Sequence, residues 1–171
     1  VSALSTTQIS ALDETQAAGL STTQVAALST TQIRGLAALD LAELNATQFG
    51  ALTGAQVAAF STTAIADLAA TTFGVFTTTQ IAALSTTQVV ALTTAQIAAI
   101  ETTDIKAMTT AQIAAMTTVQ VSVLTTDQIG AMTTAEARAL TTAGIAALTT
   151  DQIVALSSTQ LGALSTTQVA A

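Results

Sequence analysis

The side chains that could do chemistry in this chain are hydroxyls and amides that recur at one fixed spacing. Ser5 is followed three residues later by Gln8. In this arrangement the hydroxyl accepts a hydrogen bond from the backbone N–H three residues on, and the glutamine amide reaches back to the N–H of the first residue, which is a helix capping box. The same pair recurs in phase, for example as Ser29 with Gln32, Thr93 with Gln96, and Thr149 with Gln152.

The remaining polar side chains offer no catalytic or metal-binding arrangement. The chain has no His and no Cys, and its ten acidic residues are scattered singly or in one pair. A serine or threonine hydroxyl needs a neighbouring base to become a nucleophile, and a calcium site needs densely spaced oxygen ligands. We therefore expect no catalytic residue, no metal site, no cofactor and no enzymatic activity.

The capping residues are flanked by apolar positions. Large apolar residues recur every eight residues from Leu4 to Leu164, and a second apolar position follows each one after five residues. Leu4 precedes the cap and Ile9 follows the glutamine, which are the two positions of a hydrophobic staple. The chain is thus one octapeptide written 21 times. The repeat predicts a structural core that includes Leu4, Ile9, Leu28, Ile33, Leu84, Ile97, Leu124, Ile129, Leu148 and Ile153.

A helix start every eight residues requires a helix end every eight residues. One continuous helix is excluded, because eight residues rotate the apolar position by about 80° per repeat and no apolar stripe forms. Helices this short are unstable alone, so they must pack on their neighbours. We predict an all-α, superhelical α-solenoid with one very short helix, of about one and a half to two turns, in each repeat.

A β-solenoid is the alternative fold. Threonine, isoleucine and valine favour strands, and two or three octapeptides could form one coil. Such coils usually need turn residues at their corners, whereas this chain has no proline and only 8 glycines, which follow no fixed phase. The paired alanines and the glutamine favour helix.

We expect residues 1–171 to form a single continuous array, an excerpt of a longer one or a protomer whose ends are covered by the next copy. Residues 36–80 are the most degenerate part: the cap position holds Ala37 and Ala69, and all four phenylalanines of the chain lie here. The phenylalanines indicate compensating core packing, and a local joint or binding patch is the alternative.

Charge and hydropathy argue against nucleic-acid binding and against a membrane span. Only 8% of residues are charged, the net charge is −7, and three residues are basic, so the chain is unsuited to nucleic acid. The sequence contains no run of 18 apolar residues, so it predicts no membrane span. The exposed surface of serine, threonine, glutamine and alanine provides little charge repulsion against self-association.

The phrase Leu-Thr-Thr-x-Gln-Ile-x-Ala, at residues 92–99 and 148–155, resembles the octapeptide arrays of very large secreted bacterial proteins described as haem-utilisation or adhesin-like. This resemblance implies an extracellular or cell-surface protein. We predict a structural filament, stalk or adhesin spacer whose partner is itself, by head-to-tail or lateral association. A binding module that presents threonine and glutamine rows to a surface polysaccharide or to ice is the alternative.

Overall fold

A computed structural model describes residues 3–36 and 38–171 of the chain. These residues form 21 α-helices of four to six residues, one in each octapeptide. They are α1 (Thr6–Ser10), α2 (Glu14–Ala18), α3 (Thr22–Ala26), α4 (Thr30–Arg34), α5 (Ala38–Ala42), α6 (Ala46–Ala51), α7 (Gly54–Ala58), α8 (Thr62–Ala66), α9 (Ala70–Phe73), α10 (Thr78–Ala83), α11 (Thr86–Ala91), α12 (Thr94–Ala99), α13 (Thr102–Ile105), α14 (Thr110–Ala115), α15 (Thr118–Ser122), α16 (Thr126–Ala131), α17 (Thr134–Ala139), α18 (Thr142–Ala146), α19 (Thr150–Ala155), α20 (Ser158–Ala163) and α21 (Thr166–Val169).

The prediction of an all-α solenoid of very short helices is confirmed. The described part of the chain contains no strand, so the β-solenoid alternative is wrong. The physical reason is local: each repeat satisfies the first backbone N–H groups of a helix with its own side chains, and a strand would leave that capping chemistry unused.

The helices whose cap residue the structure describes begin at the predicted cap position. The Ser5 hydroxyl accepts from the Gln8 backbone N–H at 3.3 Å, and Gln8 Oε1 accepts from the Ser5 N–H at 2.8 Å. The box is complete in every helix whose third residue is glutamine or glutamate. Ala69 and Glu101 make no side-chain cap bond, and Ala37 lies outside the described residues.

The chain leaves each helix without special turn residues. After α11, Leu92 (φ −62°, ψ 137°) and Thr93 (φ −72°, ψ 160°) are extended, and α12 then begins at Thr94. Among the described residues no peptide bond is cis and no φ is positive. An array with no proline and few glycines can therefore change direction every eight residues.

Helices stack on the third helix before them. α7 begins at Gly54 and α10 begins at Thr78, 24 residues later, and these two helices pack together. The same relation joins α11 to α8 and to α14, and α17 to α14 and to α20. One turn of the superhelix is therefore three repeats, and helices three apart in the sequence stack in three columns.

The core lies between successive turns and is lined by the two staple positions. In the middle of the array Ile97 exposes none of its side chain and Leu92 exposes 4%. The small residue before each leucine permits close approach: a Cβ added to Gly54 in α7 would lie 2.9 Å from the Ala83 Cβ of α10. The helices can pack this closely only where side chains are small.

Within the described residues, no helix is long and apolar enough to cross a membrane.

Candidate functional site

The most highly organised polar feature of the molecule is the glutamine at the third position of each helix. Gln96 accepts from the Thr93 N–H through Oε1 at 2.8 Å, which completes the capping box of α12. Its Nε2 donates to the carbonyls of Ile65 and Leu68, at 2.8 and 2.7 Å, in the preceding turn. Gln96 is fully buried, so one amide both starts its helix and joins two turns.

The same inter-turn contact is made by every glutamine above the first turn. In most of them Nε2 bonds the carbonyls of residues 31 and 28 positions earlier, which are the second staple residue of one repeat and the leucine that follows it. The glutamines that donate to the preceding turn are Gln32, Gln48, Gln56, Gln80, Gln88, Gln96, Gln112, Gln120, Gln128, Gln152, Gln160 and Gln168.

Burying these amides is tolerated because their polar atoms are paired. The Leu68 carbonyl lies between α8 and α9 and accepts no backbone N–H among the described residues. A buried carbonyl without a partner costs about 1–3 kcal/mol. The Gln96 amide removes that cost at Leu68, and its own acceptor is used by the cap. No buried side-chain nitrogen or oxygen in the described residues lacks a partner.

Six helices depart from this arrangement at the third position, which holds Asp40, Ala64, Thr72, Asp104, Glu136 and Gly144. Glu136 keeps the cap, because its Oε2 accepts from the Thr133 N–H at 2.7 Å, and its side chain is buried. A glutamate side chain has no N–H to donate, and among the described residues Glu136 makes no hydrogen bond to the preceding turn. Helix α17 therefore keeps the capping bond that a glutamine would make and lacks the bond to the preceding turn.

Asp104 is a buried acidic side chain at the third position of α13. Burial of the carboxyl raises its pKa above the ordinary value, and the negative charge of the neighbouring Glu101 raises the pKa further. A shorter aspartate at this position forms no side-chain bond to the cap residue. The carboxylate is thus partly desolvated without the compensating hydrogen bond that glutamine makes.

The four phenylalanines are core residues. Phe49, Phe60, Phe73 and Phe76 expose between 0% and 5% of their surface. Phe76 stacks on Phe73 with ring centroids 4.7 Å apart, and on Phe49 at 5.9 Å. They fill the part of the array where Thr72 replaces glutamine, as expected for compensating core packing.

A surface cleft of ≈ 350 Å³ lies beside this cluster. Its lining residues are Leu44, Ala46, Phe49, Thr71, Thr72 and Val75. Thr72 stands where a glutamine would have reached the Leu44 carbonyl, 28 residues earlier. The cleft therefore lies where that longer side chain is missing.

The predicted core residues occupy the inter-turn layer, with one exception. Ile9, Leu28, Ile33, Leu84, Ile97, Leu124 and Ile129 are buried, and Leu4 and Leu148 are partly buried against that core. The repeat predicts Ile153 in the core, but this residue exposes 37% of its surface. It belongs to α19, in the last turn, and no further turn covers it.

The predicted cap residues all form capping boxes. Ser5 pairs with Gln8, Ser29 with Gln32, Thr93 with Gln96 and Thr149 with Gln152. Gln8 is exposed, whereas Gln32, Gln96 and Gln152 are buried because a preceding turn lies beneath them. In these buried glutamines one side chain therefore completes the capping box and also contacts the preceding turn.

Sequence reasoning missed the second bond of the glutamine. The sequence carries a signal of this bond, because glutamine is strongly preferred over glutamate at the third helix position: fifteen helices have glutamine there and one has glutamate. Either residue completes a capping box, but only the amide carries N–H donors. The near-exclusive use of glutamine therefore pointed to an acceptor elsewhere in the fold.

No metal-binding constellation of side chains occurs in the described residues. No three acidic, histidine or cysteine side chains lie close enough together to hold a metal ion. The chemistry available to this arrangement is hydrogen bonding and apolar contact between identical turns. The inter-turn layer is therefore the candidate functional site.

The repeat itself has relatives. No curated protein and no solved structure is significantly similar to the chain. The sequence profile of the ALTTAQ repeat matches residues 65–99, 97–134, 129–158 and 139–171, which together cover more than half of the chain. This protein therefore belongs to the ALTTAQ repeat family.

Proposed function

We propose that this tandem-repeat chain is a structural protein, a stalk, filament or spacer at the cell surface or outside the cell. The observation that carries the proposal is the recurrence of one inter-turn contact: glutamines from Gln32 to Gln168 bond the turn before them in the same way. Stability then accumulates along the array from nearest-neighbour contacts. A repeat that only extends itself suits a protein whose function is length.

The surface supports this proposal. Exposed positions such as Thr86, Thr87, Thr94 and Thr102 are uncharged, and 8% of all residues are charged. Such a surface is wettable, offers few sites to proteases that cleave after basic residues, and provides little repulsion between neighbouring rods. The proposal assigns the chain no enzymatic activity and no cofactor.

The test combines location with length. Antibodies against the chain are applied to intact and to lysed producing cells, and labelling of intact cells is expected. In parallel, a deletion variant that lacks residues 85–156, which are nine whole repeats, is produced and purified. Three turns are lost, so small-angle scattering should show a rod shorter by about 25–30 Å, because packed helices lie about 8–10 Å apart.

The control for this deletion removes four residues, 85–88, and breaks the eight-residue phase. Circular dichroism should show helix content per residue unchanged in the nine-repeat deletion and reduced in the four-residue one. Label confined to lysed cells, or collapse of the nine-repeat deletion, would contradict the proposed role.

A second candidate function is binding of a surface polysaccharide or of ice. Its supporting observation is a pair of shallow outer grooves of ≈ 480 and ≈ 300 Å³, the first lined by Thr78, Thr79, Ala82, Ala83 and Ala107 and the second by Thr86, Thr87, Val90 and Ala115. Retention on immobilised glycans or thermal hysteresis would favour it. Absence of both signals would leave the structural role.

A further inference from the structure

The charged residues of this chain are confined to two of the three helix columns. Counting every third helix, the first column begins with α1, the second with α2 and the third with α3. None of the three basic and ten acidic residues lies in a repeat of the third column. The helices of this uncharged column are α3, α6, α9, α12, α15, α18 and α21.

The net charge of −7 is carried by the other two columns. The repeats of the first column hold two basic and four acidic residues, a net charge of −2, and they are Arg34, Glu101, Asp104, Lys106, Asp127 and Asp151. The repeats of the second column hold one basic and six acidic residues, a net charge of −5, and they are Asp13, Glu14, Asp40, Glu43, Asp67, Glu136 and Arg138. Both columns therefore repel the same columns of a second copy.

We propose that two copies of this chain pack side by side, with the uncharged column of one copy against the uncharged column of the other. This inference rests on the proposed structural role and specifies which face joins neighbouring rods. In such a pair the charged columns of both copies lie on the outside, where salt screens them. Pairing through the first or the second column would instead bring carboxylates together.

The uncharged column presents apolar side chains as well as threonines. Val119 in α15 exposes 60% of its surface, and Val75 in the repeat of α9 exposes 38%. Before the last turn, the one other exposed large apolar residue in the described part of the chain is Val90, which lies in the second column. The cleft lined by Phe49 and Val75 also belongs to the uncharged column, between α6 and α9. Burial of this apolar surface between two copies favours their association.

The area of the face sets the strength of the association. The seven helices of the column, stacked about 8–10 Å apart, span about 60 Å, and a helix of about six residues is about 9 Å long. The face therefore offers about 550 Å² on each copy, or about 1,100 Å² in the pair, and a specific interface needs about 1,000 Å². We expect a weak pair at this length that gains affinity with each added turn.

The test places charge on the uncharged column. Ala95→Glu, Val119→Glu and Ala143→Glu are combined in one full-length chain, which is the charged-face variant. The three residues are exposed and hold the same position in the first turn of α12, α15 and α18. Glutamate in the first turn of a helix is favourable, so the monomer keeps its helices.

The matched control places the same charge on the second column. Thr87→Glu, Ala111→Glu and Ala135→Glu are combined, and these residues are exposed at the equivalent positions of α11, α14 and α17. Both variants add three negative charges to the chain. Circular dichroism should show the same helix content in both variants and in the unaltered chain.

Sedimentation equilibrium measures association, and electron microscopy of the same samples measures the width and length of the particles. The unaltered chain should form pairs that are wider than the monomer and no longer, and salt should strengthen the pairing because it screens the net charge of each copy. In about 0.15 M salt the charged-face variant should associate at least about tenfold more weakly, because like charges then meet across the pair. The control should associate as the unaltered chain does.

A second pair of variants displaces the column without adding charge. Deletion of residues 77–84, one whole uncharged repeat, keeps the octapeptide phase but moves every later helix into the neighbouring column, so the uncharged face is interrupted after α9. Deletion of residues 77–100, three whole uncharged repeats, removes one turn and keeps the columns in line. Helix content per residue should be equal in both variants, and the one-repeat deletion alone should lose the pairing.

Three results would overturn this lateral pairing. They are a monomer at every concentration, particles that lengthen without widening, and a charged-face variant that associates as well as its control. A chain that stays monomeric and is retained on an immobilised polysaccharide would assign the face to a glycan instead. Monomeric rods on the surface of intact cells would still support a spacer, so failure of this inference and failure of the proposed function are distinguishable.

Discussion

Gln152 Nε2 lies 2.6 Å from the carbonyl oxygen of Leu124, 28 residues earlier in the chain. The same amide accepts from the Thr149 N–H through Oε1 at 2.7 Å. The group that starts α19 therefore also fixes α19 onto the turn below it. A helix of six residues is unstable alone, and this arrangement makes its formation and its stacking one event.

The first prediction separates the two functions of the glutamine. Gln96→Ala removes the cap acceptor and leaves the Ile65 and Leu68 carbonyls without their donor, so we expect a loss of about 3 kcal/mol in the free energy of unfolding. Gln8→Ala is the matched control, since it loses only a capping box and should cost about 1 kcal/mol. Urea unfolding followed by circular dichroism measures both, and equal losses would refute an inter-turn contribution.

The second prediction concerns the one glutamate at this position. Glu136→Gln supplies an amide donor toward the carbonyls of Ile105 and Met108, the residues 31 and 28 positions earlier, and keeps the cap to Thr133. We expect the substitution to stabilise the protein by about 1–2 kcal/mol. The reverse change, Gln128→Glu, should destabilise it. Unaltered unfolding midpoints in both variants would contradict this role.

The third prediction is a pH dependence. The folded-state pKa of Asp104 is raised from 3.8 by burial and by Glu101, so the folded protein holds this proton more tightly than the unfolded chain does. Its contribution to stability is therefore greatest below pH 3.8 and is lost as pH rises through the raised pKa. Asp104→Asn should flatten that decline.

Urea unfolding at a series of pH values upward from 3.8 tests this pH dependence. Glu101→Gln should reduce the decline in part, because it removes the nearby negative charge. The control is Asp127→Asn, which removes an exposed carboxyl from the first turn of α16 and leaves Asp104 and Glu101 in place. If the free energy of unfolding of Asp104→Asn falls with pH as steeply as that of the unaltered protein, the Asp104 carboxyl is not the source of the decline.

The fourth prediction tests the close approach of stacked helices. Gly54→Ala adds a methyl group 2.9 Å from the Ala83 Cβ, so α7 and α10 must separate, at a cost of about 1–3 kcal/mol. Gly50→Ala adds a methyl group with no atom within 4 Å and should stabilise α6 by about 0.5–1 kcal/mol. Thermal unfolding of both variants gives the comparison; a stabilising Gly54→Ala would show that the columns can yield freely.

Much of this fold follows from local spacing. The three-residue interval between Ser5 and Gln8 defines a capping box, and the five-residue interval between Leu4 and Ile9 defines a staple. Both involve atoms within one repeat, so the sequence is enough to predict a helix start every eight residues. The same reasoning places Ile97 and Leu84 in the core, because both hold staple positions.

The contact between turns could not be predicted in this way. The Gln96 bond to Leu68 joins residues 28 apart, and that distance depends on there being three helices in each turn. Two extended residues, such as Leu92 and Thr93, set the direction of the following helix, and the octapeptide period is compatible with several such directions. For the same reason the sequence predicts Ile153 in the core, although no turn covers it.

The sequence by itself determined the helices, their caps, the phase of the array and the apolar positions, because these depend on hydrogen bonds and contacts between residues at most five apart. Only the tertiary structure decided that three repeats make a turn, that Gln96 closes the layer beneath it, and that Gln8 and Ile153 remain open at opposite ends. Those features depend on how backbone angles between helices add up over 24 residues, and on which carbonyls that sum brings within reach of an amide.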